Sequence, residues 1–231
     1  MTANAQTFWL ENLKSASNYN RWIFSQIRPF LGDEVLEVGC GNGNFSVLLA
    51  KRCDRLVALD LDDDYVEMTR ARLKGCSHVK VMAADATALD SPHTFNSVVM
   101  LDVLEHIEAD VATIVQLARS LKPGGNLIVK VPALQSLYSP MDAAIGHYRR
   151  YHKGNLSRAF QRAGLTVDKI WYFNLAGIPG WWLNGSVLKR TMPPSSQVGL
   201  FDRVVPALEV FEDVVSVPVG LSLFAVGQVA G

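Results

Sequence analysis

Val35-Leu36-Glu37-Val38-Gly39-Cys40-Gly41-Asn42-Gly43-Asn44 is the stretch that decides the fold. An apolar run, Glu34 to Val38, passes into three alternating glycines and then into a helical pattern from Phe45 to Lys51. Strand, glycine turn and helix in that order open a βαβ unit. Glycine permits positive φ and lets a ligand approach the backbone closely. A dinucleotide fingerprint would carry its third glycine at position 44, but Asn44 stands there and the spacing is G-x-G-x-G. Glu37, two residues before the first glycine, also sets a carboxylate where a pyrophosphate would be repelled.

Downstream, β-branched runs alternate with helical spacing. Leu56 to Leu59 reads as a second strand, followed by a helix from about Asp63 to Leu73. Val79 to Met82 is a third strand and Ser97 to Leu101 a fourth. Val111, Ile114, Val115, Ala118 and Leu121 recur at helical spacing, and Lys122-Pro123-Gly124-Gly125 stops that helix. Leu127 to Val131 is the fifth strand. Strands separated by helices imply right-handed crossovers and a parallel sheet covered on both faces, an α/β fold. Residues 132–165 break the rhythm with an aromatic and basic cluster and a helix ending at Ala163-Gly164. Thr166 to Phe173 is a sixth strand, and 174–199 is rich in Gly, Pro and Trp without a clear period. Leu200, Phe201, Val204, Val205, Leu208 and Phe211 make an amphipathic stripe that Pro206 should limit as one helix, and Leu221 to Val226 is the last strand.

The 231 residues carry 22 Lys+Arg against 22 Asp+Glu, 49% hydrophobic and 19% charged residues. That composition excludes a disordered chain and disfavours a duplex-coating nucleic-acid binder, which needs excess cations. Cys40, Cys53 and Cys76 form no CxxC pair, so neither a disulfide framework nor a structural zinc site is expected. Met1 to Leu10 has no basic and apolar leader pattern, and the uncharged run from Val214 is broken by Ser216, Pro218, Gly220 and Ser222, so a cytoplasmic chain without a transmembrane segment is expected.

Taken with the later motifs, the glycine loop resembles that of the class I S-adenosylmethionine-dependent methyltransferases, whose first motif is E/D-x-G-x-G-x-G. Asp60 ends Val57-Ala58-Leu59-Asp60, where the family's acid grips the ribose diol, and Asp85 in Ala83-Ala84-Asp85-Ala86 stands where its Asp meets the adenine amino group. Phe95-Asn96-Ser97-Val98-Val99 resembles the fourth-strand motif with Asn96 replacing the usual Asp, and Leu121-Lys122-Pro123-Gly124-Gly125 is similar to the lead-in to strand five. The resemblance covers about residues 34–173. It implies a Rossmann-like seven-stranded sheet, parallel but for an antiparallel last strand, and S-adenosyl-L-methionine as cofactor. Glu37, Gly39, Cys40, Gly41, Asp60, Leu61, Asp85, Ala86 and Leu101 would line its site at strand carboxyl ends, with Arg21 meeting the cofactor carboxylate. The chain then divides into a cap over 1–30, a core over 31–131, a substrate lid over 132–165 and an insertion over 174–215, all in one domain.

Two constellations could serve an acceptor. In Asp102-Val103-Leu104-Glu105-His106, positions 102, 105 and 106 share a face if helical. That run resembles the E-x-x-E-H of ubiquinone-biosynthesis O-methyltransferases, which carries a metal; here no metal is the expectation and Asp102, Glu105 and His106 are the candidate ligands. In Asp142-Ala143-Ala144-Ile145-Gly146-His147-Tyr148-Arg149-Arg150-Tyr151, arginines can fork onto an anion and tyrosines can stack on a flat acceptor; alternatively this is a surface loop whose arginines pair with acids, Asp142 included. This G-H-x-R-R-Y run resembles a subgroup of bacterial methyltransferases. His147 is the favoured general base, with His106, Arg149, Arg150 and Tyr151 beside it. Trp171, Trp181, Trp182 and the stripe from Leu200 either line a greasy pocket, touch a membrane surface or cover the sheet. The expectation is methyl transfer to a small metabolite, anionic or amphipathic, at oxygen. The alternative is a non-catalytic cofactor-binding module acting through a partner. The N/D-P-P-Y/F motif of amino-group DNA methylases is absent after strand four, and no nucleic-acid partner is expected.

Overall fold

The structure, a computed structural model, describes residues 3–230. Seven strands form one sheet: β1 (Glu34–Val38), β2 (Arg55–Asp60), β3 (Val79–Ala83), β4 (Phe95–Leu101), β5 (Leu121–Pro132), β6 (Thr166–Phe173) and β7 (Ser222–Gln228). Their order across the sheet is β3-β2-β1-β4-β5-β7-β6. β7 alone runs antiparallel to its neighbours, inserted between β5 and β6. The helices are α1 (Ala3–Ser15), α2 (Ser17–Ile27), α3 (Ser46–Leu49), α4 (Asp63–Arg72), α5 (Asp110–Ser120), α6 (Pro140–Ile145), α7 (Lys153–Arg162), α8 (Gly177–Trp181) and α9 (Ser195–Val214).

Alternation along each strand divides the core in two, because successive side chains point to opposite faces. Leu36, Val38, Val98, Met100, Leu127 and Val129 pack on one face, under α5 and α7. Val35, Leu56, Ala58, Val99, Ile128 and Phe224 pack on the other, against Trp22 and Ile23 of α2 and Val205 of α9. All four central strands are therefore apolar on both sides, as a doubly covered sheet requires. Lys130 of β5 and Glu37 of β1 are exceptions, charged side chains buried within the sheet.

The seven expected strands are present, with β2, β4 and β5 longer than their apolar runs suggested. The Lys122-Pro123-Gly124-Gly125 segment does not lie outside the sheet: Leu121 pairs with Phe95 across an irregularity in the β4–β5 ladder. α3 is only four residues long, shorter than its pattern. The larger correction concerns Pro206, expected to limit the stripe as a single helix. It lies inside the 20-residue α9. Proline has no N–H to offer the carbonyl four residues earlier, and that carbonyl, on Asp202, accepts instead from Asn18 Nδ2 at 2.9 Å. The Asp202 carboxylate also accepts from Tyr19 N–H at 2.8 Å. α2 thus supplies the donors that proline withholds. The 174–215 segment is helical through most of its length, with a π-helical turn at Trp182–Val187 between α8 and α9. No helix among the described residues is long and apolar enough to cross a membrane.

Candidate functional site: a glycine cradle and a buried acid–imidazole group

β1 leads into the glycine loop at Gly39, where φ is +76° and the N–H donates to Leu59 O of β2 at 2.8 Å. A Cβ built on Gly39 would come within 2.4 Å of Val103 Cγ2, so only glycine lets the loop pass under the residues after β4. Gly41 has φ +51°, and its N–H donates to Asp60 Oδ2 at 2.8 Å. The other oxygen of Asp60 accepts from Asp62 N–H at 3.1 Å. Asp60 is thereby oriented at the end of β2, although burial still holds its carboxyl above the usual range. Asp85 is exposed and caps the turn after β3, accepting from the Thr87 N–H at 2.8 Å. Ala86 is buried beside it, whereas Leu61 is 76% exposed.

Below the loop, Glu37 is buried on β1, and burial pushes its carboxyl up to about 8. Glu37 Oε2, Asn42 Oδ1, Ser46 Oγ and Trp9 Nε1 have no hydrogen-bond partner although buried. Asn42 and Asn44 donate to Leu10 O, so α1 lies against the loop. A cradle that excludes Cβ atoms, orphaned polar atoms of both signs and a strand-end diol acceptor fit a cationic adenosyl ligand. Cys40 is buried, its thiol pushed up to about 12 by burial, and acts here as packing. Arg21 donates to Asn18 and lines a surface cleft with Phe24, Arg28 and Glu209.

The second half of the site stands at the ends of β4 and β5. The segment after β4 is not one helical face. Asp102 takes φ +56° and a single 3-10 turn covers Leu104–His106. Asp102 pairs with Lys130 Nζ at 2.5 Å rather than with Glu105 or His106, which removes it from the candidate metal set. Burial lowers the Lys130 ammonium's affinity for its proton, but the adjacent Asp102 outweighs it and leaves the group above its usual range. Tyr19 stands half-buried nearby; burial raises its hydroxyl, which accepts from Asn174 Nδ2 at 3.4 Å.

His147 takes the place expected of Asp102. Its Nδ1 lies 3.0 Å from Asp142 Oδ1 and its Nε2 lies 3.6 Å from Glu105 Oε1. The His106 ring meets the His147 ring edge-on at 4.6 Å between centroids. Glu105 is fully buried with neither carboxylate oxygen bonded, and burial raises it well above the usual carboxylate range. Burial and the His147 charge lower His106 to about 4. Ligand atoms of Glu105, His106 and His147 all lie within 4.8 Å of one another.

The basic lid is otherwise spent internally. Arg150 is buried, donates Nε to Asp142 at 2.8 Å, and stacks 4.5 Å over Trp181. Burial alone would raise Asp142, but His147 and Arg150 hold it below its usual range. Arg149 pairs with Asp110 at 3.0 Å. Tyr151 is buried with its hydroxyl donating to Asp110 at 2.9 Å. Arg150 and Tyr151 thus serve packing and positioning rather than facing a ligand, and the cations from which an anionic acceptor was inferred are neutralised. Trp171 stacks on Phe224, covering the sheet, while Trp181 stacks on Trp9 of α1. Lys130 is a site residue that motif reading passed over, whereas the pairing of Asp142 with an arginine is the alternative the sequence offered. Lys130 left a signal, a lone cation inside Leu127-Ile128-Val129-Lys130-Val131.

Residues 35–125 match the family model described as a methyltransferase domain. The ubiquinone biosynthesis O-methyltransferase of Xanthomonas euvesicatoria pv. vesicatoria is 34% identical over 160 residues, 60% of this chain and 65% of that protein. Nodulation protein S of Rhizobium tropici is 33% identical over 98 residues, 41% of each chain. Several such curated relatives are matched over only about two fifths of their length, 41% and 42% in the nodulation protein and in a Xylella fastidiosa relative. In fold, the chain is similar to the N-methyltransferase NodS of Bradyrhizobium japonicum, solved in complex with S-adenosyl-L-homocysteine. The TM-score is 0.60 at 17% identity, over 91% of this chain and 85% of that one. With its glycine cradle, its strand order and these likenesses, the chain carries a methyltransferase domain over residues 35–125 and is similar to the class I S-adenosylmethionine-dependent methyltransferases.

Proposed function

We propose that this chain transfers the methyl group of S-adenosyl-L-methionine to a hydroxyl of a small amphipathic acceptor, with His147 as general base. The observation that carries the reading is the buried Asp142–His147–Glu105 arrangement beside the carboxyl end of β4. The cofactor supplies an electrophilic methyl on a sulfonium, and the reaction is an in-line displacement in which alignment dominates. Gly39, Gly41 and Asp60 hold the adenosyl side, and Glu37 offers a carboxylate whose ionised form a cation would stabilise. A hydroxyl acceptor must also lose its proton. Asp142 accepts from His147 Nδ1–H, which fixes the tautomer and leaves Nε2 free to take a proton. Glu105, raised by burial, stands 3.6 Å from that nitrogen and can exchange the proton it receives. The paired arginines argue for an uncharged or amphipathic acceptor over an anion.

The test has two readouts. Isothermal titration with S-adenosylhomocysteine should show binding in the wild type and equally in His147→Ala. Labelled-methyl transfer to a panel of phenols and quinone precursors should fall by about 10²–10⁴ in that variant. Unchanged turnover removes His147 as base, and binding without any transfer favours the non-catalytic reading.

A second reading rests on the convergence of Glu105, His106 and His147 within 4.8 Å. One carboxylate and two imidazoles suit a divalent transition metal, which would acidify an acceptor hydroxyl directly. Metal analysis after dialysis decides it: stoichiometric metal lost in His106→Ala supports the metal, and full activity in chelator refutes it.

A further inference from the structure

We propose that the outer face of α9 is a twofold contact between two copies of this chain. α9 is apolar on two faces. Its inner face, with Phe201, Val205 and Leu208, packs on α2 and the sheet. Its outer face is also apolar and lies open: Leu200 is 63% exposed, Val204 46%, Val210 66%, Phe211 50% and Val214 81%. At about 100° per residue, Leu200, Val204, Ala207, Phe211 and Val214 fall in one stripe. An isolated exposed valine needs no explanation, but a continuous stripe along a 20-residue helix does.

The stripe is self-complementary. Ala207, the smallest side chain on it, sits at its middle, where two helices crossing on a twofold axis would approach most closely. An axis at Ala207 sets Leu200 of one copy against Val214 of the other. Exposed Arg203 and Asp213 lie on the same flank of the helix, and neither has an ion-pair partner among the described residues. In an antiparallel pair, the flanks that meet are the same flank of each copy. Arg203 of one copy then lies about two residues, roughly 3 Å along the axis, from Asp213 of the other. Helical side chains lean toward the N-terminus, which carries Arg203 toward that aspartate. One charge of each sign on the flank fits a second copy better than an anionic membrane, which selects for clustered cations.

The test is the oligomeric state of the full chain, by analytical ultracentrifugation over a concentration series. The wild type should be dimeric, Arg203→Asp and Asp213→Arg should each weaken the dimer by more than about tenfold through like-charge contact, and the double swap should restore it. Circular dichroism and S-adenosylhomocysteine binding, both unchanged in all variants, show that the fold is intact. A monomeric wild type at every concentration overturns the proposal, as does a dimer indifferent to the single swaps or unrestored by the double one. Sedimentation of a monomer with phosphatidylglycerol vesicles, lost in Leu200→Ser/Phe211→Ser, would assign the stripe to a membrane instead.

Discussion

Glu37→Gln should change how stability depends on pH more than it changes stability at any one pH. Burial moves the Glu37 carboxyl from 4.5 to about 8 in the folded chain. Between those values the unfolded chain is ionised at this position while the folded chain keeps its proton, so folding takes up nearly one proton. Stability therefore falls as pH rises through the window, by up to ~1.4 kcal/mol per pH unit. Below 4.5 the penalty is absent, and above about 8 it no longer grows. From pH 5.5 to 7.5 this one group destabilises the ligand-free chain by about 2.5 kcal/mol. Glutamine cannot ionise, so urea unfolding at several pH values should give a variant curve flatter by that amount, whatever constant offset the amide adds. Titration with S-adenosyl-L-methionine, whose sulfonium is cationic, in two buffers of different ionisation enthalpy provides the second readout. A cationic ligand near Glu37 favours its ionised form, so binding near pH 7 should release close to one proton in the wild type and none in the variant. Parallel stability curves for the two proteins between pH 5.5 and 7.5 would refute the reasoning.

Asp60→Ala removes the acceptor of Gly41 N–H and Asp62 N–H; S-adenosylhomocysteine affinity should fall by at least about tenfold, or ~1.4 kcal/mol, by calorimetry. Gly39→Ala must meet Val103 at 2.4 Å with φ +76°, so denaturant unfolding should show a loss of about 2–4 kcal/mol, partly recovered by Val103→Ala. Asp142→Asn leaves Arg150 buried without its counter-charge. A loss of about 3–5 kcal/mol is expected by urea unfolding, and a loss under 1 kcal/mol would show that the pair does not hold the segment.

The sheet was legible because its strands carry short β-branched runs and its crossovers carry helical spacing, signals that burial on both faces imposes directly. The glycine loop was legible for the same kind of reason: positive φ and close approach leave little choice of residue. The acceptor side was not. Asp102, Glu105 and His106 suggest a helical face by spacing, yet a left-handed Asp102 and a 3-10 turn break that face. The partner of Asp102, Lys130, is 28 residues away, and the charge of Arg149 is cancelled by Asp110, an acid that spacing cannot identify. Pro206 misled for the opposite reason. Its helix-breaking tendency is local, whereas the donor that compensates it comes from residue 18.

The position of β7 also constrains the order in which the molecule can be made. β6 has no neighbour in the sheet except β7, and β7 is also what separates it from β5. While a nascent chain has emerged only through residue 221, the strand at 166–173 therefore has no strand to pair with. The five strands up to Pro132 can condense early around local crossovers. Phe173 and Trp171 must wait, apolar and open to the ribosome's surroundings, until residues 222–228 thread between two strands already present. A chain stopped short of residue 222 would lack Phe224, on which both aromatics pack, and would leave apolar surface prone to aggregation.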